Sequence, residues 1–215
     1  MILETPRLRL EPFSTAVAAD HARLYADPEV TRFLGGGPVL PAEAPERSRR
    51  TLEGFVAHWA RHGFGVWALR ERPGGTFVGQ CGLRYIPAEW QLGPAPEVEV
   101  LYALARAHWG RGLAREAAAA AVGHGLEVLG LRRIMAVTRP EHVASRRVLE
   151  AVGLRYEKHV HIFGMDCVYY AIESPGETAA GPSGPGRPTP ALSPATAPAA
   201  GAGGSRPRPR PCSGT

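Results

Sequence analysis

The sequence predicts an α+β protein, a single sheet covered by helices on both faces. Three observations carry that expectation. Short segments with apolar residues at alternate positions outnumber helical ones. Several longer segments repeat their apolar residues at the helical period. The two kinds are mixed along the chain rather than segregated into blocks.

The elements follow in order from periodicity and punctuation. Arg7 to Glu11 alternates as a strand. Ser14 offers a cap for a helix running to about Tyr25, which Asp27-Pro28 ends. The segment 42–62 carries apolar residues at 52, 55, 56 and 59, one helical face, and Gly63 closes it. Strands at about 65–70 and 76–84 are joined by the turn Arg72-Pro73-Gly74-Gly75. A strand at about 97–104 runs into a helix at about 111–129, stopped by Gly130. Strand 133–138 precedes a helix at about 142–152 with Gly153 as its C-cap. A final hairpin covers 154–160 and 166–173, with Gly164 near its turn.

Composition places the domain at residues 1–173 and a tail at 174–215. From Ser174 onward the chain is largely Pro, Gly, Ala, Ser and Thr, with Glu177 its one acidic residue. Such a segment has too little apolar surface to offset the entropy of ordering it, so it is expected to be disordered. The tail's four arginines against Glu177 give it a net +3 of the formal +5, leaving +2 on the domain. The basic balance is therefore mostly a tail property and does not argue for a nucleic-acid surface. Cys81, Cys167 and Cys212 form no C-x-x-C pair, so neither a disulfide framework nor a zinc site is expected. The opening residues lack a signal peptide's apolar run, and no stretch reaches the roughly 18 apolar residues of a membrane span. The expectation is a soluble cytoplasmic protein.

The most informative stretch is 98–118, a strand running through a glycine-broken turn into a helix. Gly110 and Gly112 let the main chain turn with its N–H groups outward. The helix behind them adds unpaired amides and the positive end of its dipole. Backbone alone thus makes a cradle for a diphosphate. A dinucleotide fingerprint fits poorly: Ala114 follows Gly112 by two positions rather than three, and strand 133–138 ends without an acidic residue. No Gly-Lys-Ser/Thr of a phosphate-binding loop occurs.

The x-x-G-x-G/A spacing instead resembles the acyl-CoA turn of the GNAT N-acetyltransferases. More narrowly, Glu99-Val100-Leu101-Tyr102 followed by Trp109-Gly110-Arg111-Gly112-Leu113-Ala114 and Glu116-Ala117 looks like the ribosomal-protein-alanine, RimJ/RimL-like branch. The family's opening strand appears as Leu3-Glu4-Thr5-Pro6-Arg7-Leu8-Arg9-Leu10-Glu11-Pro12. Its second signature appears from His142 to Leu154, including Ser145-Arg146-Arg147-Val148-Leu149-Glu150. Between them lie Gly63 to Leu69 and Phe77 to Leu83, the family's usual middle strands. The resemblance spans about residues 2–172, with each motif in order. It implies a mixed, mostly antiparallel sheet splayed at its centre between strands 97–104 and 133–138. It also implies acetyl-CoA as co-substrate, no metal, and a primary amine as acceptor: a protein N-terminus or a small amine. It calls for no membrane and no specific nucleic acid, and it admits a homodimer.

Acyl transfer from a thioester needs a deprotonated amine, a donor for the carbonyl oxygen and a proton for the departing thiolate. By resemblance Glu99 handles the amine. An ordinary carboxylate, with pKa about 4.3, is a poor base for an ammonium, so action through water or plain binding of the cation stands beside it. The alternative is an ordinary polar strand position, and Glu97 shares its face. Ser145 is the implied partner of the sulfur, against the alternative of a helix cap. Tyr102 either lines the pocket or donates to the leaving group, unless it simply packs. The resemblance puts Leu104, Trp109, Gly110, Arg111, Gly112, Leu113, Ala114, Arg115 and His142 on the cofactor. Trp109 is expected to pack beneath the turn, with Arg111 and Arg115 near the phosphates or merely solvated. His142 stands where the family has Asn, as a partial substitute, an added base or the mark of a weakened site. His159 and His161 are two ligands without a third, and no G-x-S-x-G elbow exists.

The expected activity is direct attack of an amine on acetyl-CoA in a ternary complex, because no cysteine lies in the motifs. The rival is a non-catalytic acyl-CoA-binding module. The substrate wall is expected from residues 25–60, where Asp27, Glu29, Glu43, Glu46 and Glu53 are interspersed with arginines and the charge pattern decides nothing.

Overall fold

The computed structural model describes residues 1–35, 37–93, 96–162 and 164–174; the expected tail lies, from residue 175 on, outside them. The elements are β1 (Leu3–Glu4), β2 (Leu8–Pro12), α1 (Ala18–Ala26), α2 (Pro28–Thr31), α3 (Ala44–His62), β3 (Val66–Glu71) and β4 (Phe77–Tyr85). They continue with β5 (Val98–Leu104), α4 (Leu113–Gly123), β6 (Arg133–Thr138), α5 (Val143–Ala151), β7 (Arg155–Ile162) and β8 (Met165–Glu173). Among the described residues the strands form one sheet in the order β1-β2-β3-β4-β5-β6-β8-β7.

Every neighbouring pair is antiparallel except β5–β6. Strands β4 and β5 pair continuously from Gly79↔Leu104 to Tyr85↔Val98, whereas β5 and β6 meet only at Glu99↔Met135. The sheet therefore opens at its centre, where the splay was expected.

Alternation on the strands decides what each face buries. On β3, Val66 and Ala68 turn toward Phe13, Val17 and Phe55, the side of α1 and α3. Trp67 and Leu69 turn the other way, into a core with Leu113, Ala117, Ala118 and Ala121 of α4 and Leu149 of α5. Each fully buried leucine there contributes about 1.5–3 kcal/mol. Ala117, Ala118 and Ala121 are fully buried and hold the axis of α4 close to the strands.

Local chemistry refines several boundaries. Helix α1 starts at Ala18 rather than beside Ser14, whose carbonyl accepts the Val17 N–H at 3.2 Å. Asp27 ends α1 and also starts α2: its Oδ1 accepts the Glu29 N–H at 2.9 Å, with Pro28 in the first turn. Helix α4 starts at Leu113, two residues later than expected, and continues as one π-helical turn over His124–Val128. Gly125 sits in that turn against the sheet, where a Cβ would lie 2.6 Å from Ile134 Cδ1 and 2.7 Å from Leu83 Cδ1. Helix α5 ends as its Gly153 implied: the Leu154 N–H returns to the Leu149 carbonyl at 3.0 Å and the Gly153 N–H to Glu150 at 3.1 Å.

Candidate active site

The turn between β5 and α4 is built from backbone. Gly110 and Gly112 take φ of 72° and 75°, in the left-handed region that L side chains rarely adopt. The first bond into α4 runs from the Glu116 N–H to the Gly112 carbonyl, 3.1 Å. Among the described residues none of the amides at 110–115 has a protein acceptor. A Cβ at Gly110 would meet nothing within 4 Å, and one at Gly112 only Arg7 Nη2 at 3.5 Å. An open array of unpaired donors at a helix N-terminus fits the diphosphate of a CoA thioester.

A clamp holds this turn in place. Glu116 Oε1 accepts from Thr5 Oγ1 at 2.6 Å and the Arg7 N–H at 2.8 Å, and its Oε2 accepts from Arg7 Nε at 2.6 Å. Arg7 Nη1 in turn donates to the Arg111 carbonyl at 2.8 Å. Partial burial works against the charge, but these donors outweigh it and hold the Glu116 carboxyl below its ordinary range. The Thr-x-Arg of the opening strand thus supports the turn.

The side chains named for the cofactor do less than their backbones. Trp109 does not lie beneath the turn: it is 46% exposed, and its indole N–H donates to the Leu104 carbonyl at 2.7 Å. Arg111 is engaged by Glu71 Oε1 at 2.6 Å and by His108 Nδ1 at 3.0 Å. Leu113 is buried in the core and Ala114 half-buried against it, while Arg115 is exposed with no ion pair among the described residues.

A cavity of about 280 Å³ opens where β5 and β6 part. Its walls include Val100 and Tyr102 from the α4–α5 face of β5 and Glu99 and Leu101 from the α1–α3 face. The cavity therefore passes through the sheet.

On the α5 side, Tyr102 Oη lies 2.9 Å from Ser145 Oγ and 3.1 Å from the Ser145 carbonyl. Burial pushes the Tyr102 phenol well up, against the smaller pull of the Ser145 hydrogen bond, so it stays protonated through the neutral range. Ser145 is buried in the first turn of α5 and caps nothing; its Oγ shares a hydrogen bond with the tyrosine in which either hydroxyl can donate. The pair is a proton-holding unit with one hydroxyl to spare.

On the opposite side, Glu99 is 5% exposed and its Oε1 accepts from Arg84 Nε at 2.5 Å. Arg84 stands directly across from it in the β4–β5 register. Glu99 thus brings a paired carboxylate to this side of the cavity, chemistry that suits binding an ammonium.

His142 precedes α5 without capping it. Its ring stacks on Phe33 at 4.0 Å and 10°, with Nδ1 3.3 Å from Thr138 Oγ1. Burial, then the nearby Arg32, lowers its pKa, so it is neutral at physiological pH.

Segment 25–60 supplies the rest of the wall through Tyr25, Phe33, Arg47, Thr51 and Phe55. Behind it, fully buried His21 has Nδ1 2.7 Å from Ser48 Oγ and Nε2 2.7 Å from Gln80 Oε1, tying α1 to α3 and β4. Sequence reading missed Arg47, Arg84, Phe33 and Cys167. Arg47, Thr51 and Phe55 form an i, i+4, i+8 stripe that periodicity offers, and Arg84 alternates in phase with Gln80. Cys167 lines the cavity from β8, but burial pushes its thiol up and away from thiolate.

The chain matches the family model described as Acetyltransferase (GNAT) domain over residues 7–155. It is 28% identical over 156 residues to the Bacillus subtilis protein recorded as an uncharacterized N-acetyltransferase, YoaA, covering 73% of this chain and 84% of that one. The crystal structure of an acetyltransferase from Agrobacterium tumefaciens superimposes with a TM-score of 0.67 at 25% identity, covering 80% of this chain and 94% of the other. RimL, a ribosomal alpha-N-protein acetyltransferase solved in complex with coenzyme A, shares the fold at 16% identity and a TM-score of 0.64, covering 80% and 98%.

Proposed function

The chain belongs to the GNAT acetyltransferase family, and on that premise we propose that it moves an acetyl group from acetyl-CoA to a primary amine in a ternary complex. The observation that carries this reading is the cavity where β5 and β6 part, with different chemistry on each face, on the strand that runs into the amide cradle. Acetyl-CoA, when bound, supplies the activated acyl group as a thioester. The amides at 110–115 would hold its diphosphate, and the gap between β5 and β6 would take the arm.

Glu99, positioned by its ion pair with Arg84, binds and orients the entering ammonium, whose proton leaves to water. The amine then attacks the carbonyl carbon while the carbon–sulfur bond breaks. With Tyr102 donating to Ser145 Oγ, the Ser145 hydroxyl protonates the departing sulfur and regains its proton from the phenol, and the proton shed by the newly acetylated nitrogen returns to Tyr102 through water. His142, neutral and stacked, shapes the wall and takes no proton. Within the family we place the chain in the RimJ/RimL-like branch, because Glu99-x-x-Tyr102 and Trp109-Gly110-Arg111-Gly112 frame both halves of the site.

Titration calorimetry with acetyl-CoA, CoA and NADH, followed by CoA release in the presence of amines, tests the reading. Selective binding of the CoA ligands with amine-dependent release is the expected outcome. Binding without release on any amine would favour the non-catalytic module, and no CoA binding would remove both.

A further inference from the structure

Strand β4 runs on past the point where β3 leaves it. Their last register pair is Val66↔Gly82, and one further bond carries the Leu83 N–H to the Gly65 carbonyl at 3.2 Å. On the far side of Gly65 the chain turns away through Gly63, at φ 73°, into α3. The next amide on that edge of β4, the Tyr85 N–H, therefore has no strand to meet. A side chain takes the strand's place. The Tyr85 N–H donates to His58 Nε2 at 3.0 Å, while His58 Nδ1 donates to the Phe64 carbonyl at 2.8 Å. A carbonyl only accepts, so the proton sits on Nδ1 and the lone pair on Nε2. The imidazole joins α3 to β4 in this way only while it is neutral.

The acceptor side of the cavity hangs on that amide. The Tyr85 N–H belongs to the peptide group that links Arg84 to Tyr85. Arg84 lines the cavity, and its Nε holds Glu99 Oε1 directly across the β4–β5 register. The groups around His58 oppose a further positive charge. Exposed Arg61 and His62 face it from α3, with the His62 ring 4.6 Å away, and Arg84 faces it from β4. The rings of Phe64 and Tyr85, at 5.1 and 6.0 Å, complete the surroundings, and no carboxylate among the described residues bonds to the imidazole. Burial lowers the His58 pKa from its ordinary 6.5; the Phe64 bond opposes this, and His62, Arg84 and Arg61 add to it.

We propose that His58 is a positioning residue for the Arg84–Glu99 pair, and that its protonation releases the pair and weakens the hold on the entering amine. The inference rests on the acetyltransferase reading and adds an acid-side control to it. Above its lowered pKa, His58 is neutral and accepts the Tyr85 amide. As pH falls through that value Nε2 gains a proton, and a donor then faces a donor beside Arg61 and Arg84. The Arg84–Tyr85 peptide is let go, and Glu99 loses the partner that aims it.

The test uses the full-length protein labelled with nitrogen-15. In NMR between pH 7.5 and 5, the His58 ring should pass from the Nδ1–H tautomer to imidazolium with a midpoint below 6.5. The Tyr85 amide and the Arg84 Nε–H should lose protection from hydrogen exchange at the same midpoint, by about tenfold or more beyond the intrinsic pH dependence. His58→Gln, which offers an uncharged acceptor oxygen in place of Nε2, should keep both protected throughout; His58→Phe should leave both unprotected at every pH. CoA release is then followed over a panel of amino-acid amides, dipeptide amides and polyamines. On acidification the parent's kcat/KM should fall about tenfold further than that of His58→Gln, through the amine's KM, with the acetyl-CoA Kd equal in both. Acid protonates each amine alike for the two proteins, so their ratio isolates His58. Protection of Tyr85 and Arg84 that ignores the state of His58, or parallel pH profiles for the two proteins, overturns the inference and leaves the acetyltransferase reading standing. A neutral His58 with its proton on Nε2 overturns the bridge itself. Absence of acetyl-CoA binding, or of turnover across the whole panel, overturns both readings together.

Discussion

Tyr102 and Ser145 are 43 positions apart, on β5 and α5, and each had an ordinary explanation in the sequence. Their contact changes what each does. A serine early in a helix is expected as a cap, but Ser145 Oγ instead shares a hydrogen bond with a phenol that burial keeps protonated. If that pair delivers the proton to sulfur, Tyr102→Phe lowers kcat by about 10- to 100-fold. The acetyl-CoA Kd should stay within about threefold, because the phosphates are held elsewhere. Stopped-flow turnover with calorimetry reads both; an unchanged kcat would reduce the pair to packing. Gly110 and Gly112 were legible by residue type alone, because a positive φ selects glycine wherever it occurs. Arg84, Arg47 and Phe33 were not, since nothing in their own neighbourhoods says which way they face.

At the scale of elements, two devices position the site. The first is the clamp from β1–β2 onto α4 through Thr5, Arg7 and Glu116, which fixes the turn before any ligand arrives. Gly112→Asp places a side chain at φ 75° and a negative charge among amides meant for an anion. It should weaken acetyl-CoA binding by about a hundredfold or more in calorimetry, with circular dichroism showing an intact fold. The second is His21, which joins α1, α3 and β4 behind the substrate wall. Burial, partly opposed by the Gln80 hydrogen bond, pushes its pKa from 6.5 to about 4. The unfolded chain therefore takes up a proton near pH 6.5 that the folded chain refuses until about pH 4, so stability falls as pH drops through that window. The loss amounts to about 3 kcal/mol at most. Denaturant melts of His21→Gln between pH 7 and 4 should show a flatter decline than the parent. A parallel decline would mean other groups set the acid limit.

At the scale of the whole molecule, the chain divides by composition into a domain and a segment poor in apolar residues. A chain ending at Ser174 keeps β8 and the bond from its last amide to the Arg132 carbonyl, 2.9 Å. Calorimetric melting of that truncation should agree with the full chain within about 3 °C, since the removed segment is poor in large apolar residues; a larger drop would show that the tail docks. The element order, the strand alternation, the glycine turn and the α+β architecture were determined by the sequence by itself. Those features depend on residues within a few positions of one another, where period and φ preference act directly. Tertiary structure alone decided that β5 and β6 touch at one register pair, that the cavity crosses the sheet there, and that Glu99 meets Arg84 while the acids of 27–53 turn outward. These depend on the phase of one element against another. Burial sets that phase by summing many apolar contacts, and the charged side chains follow it rather than choose it.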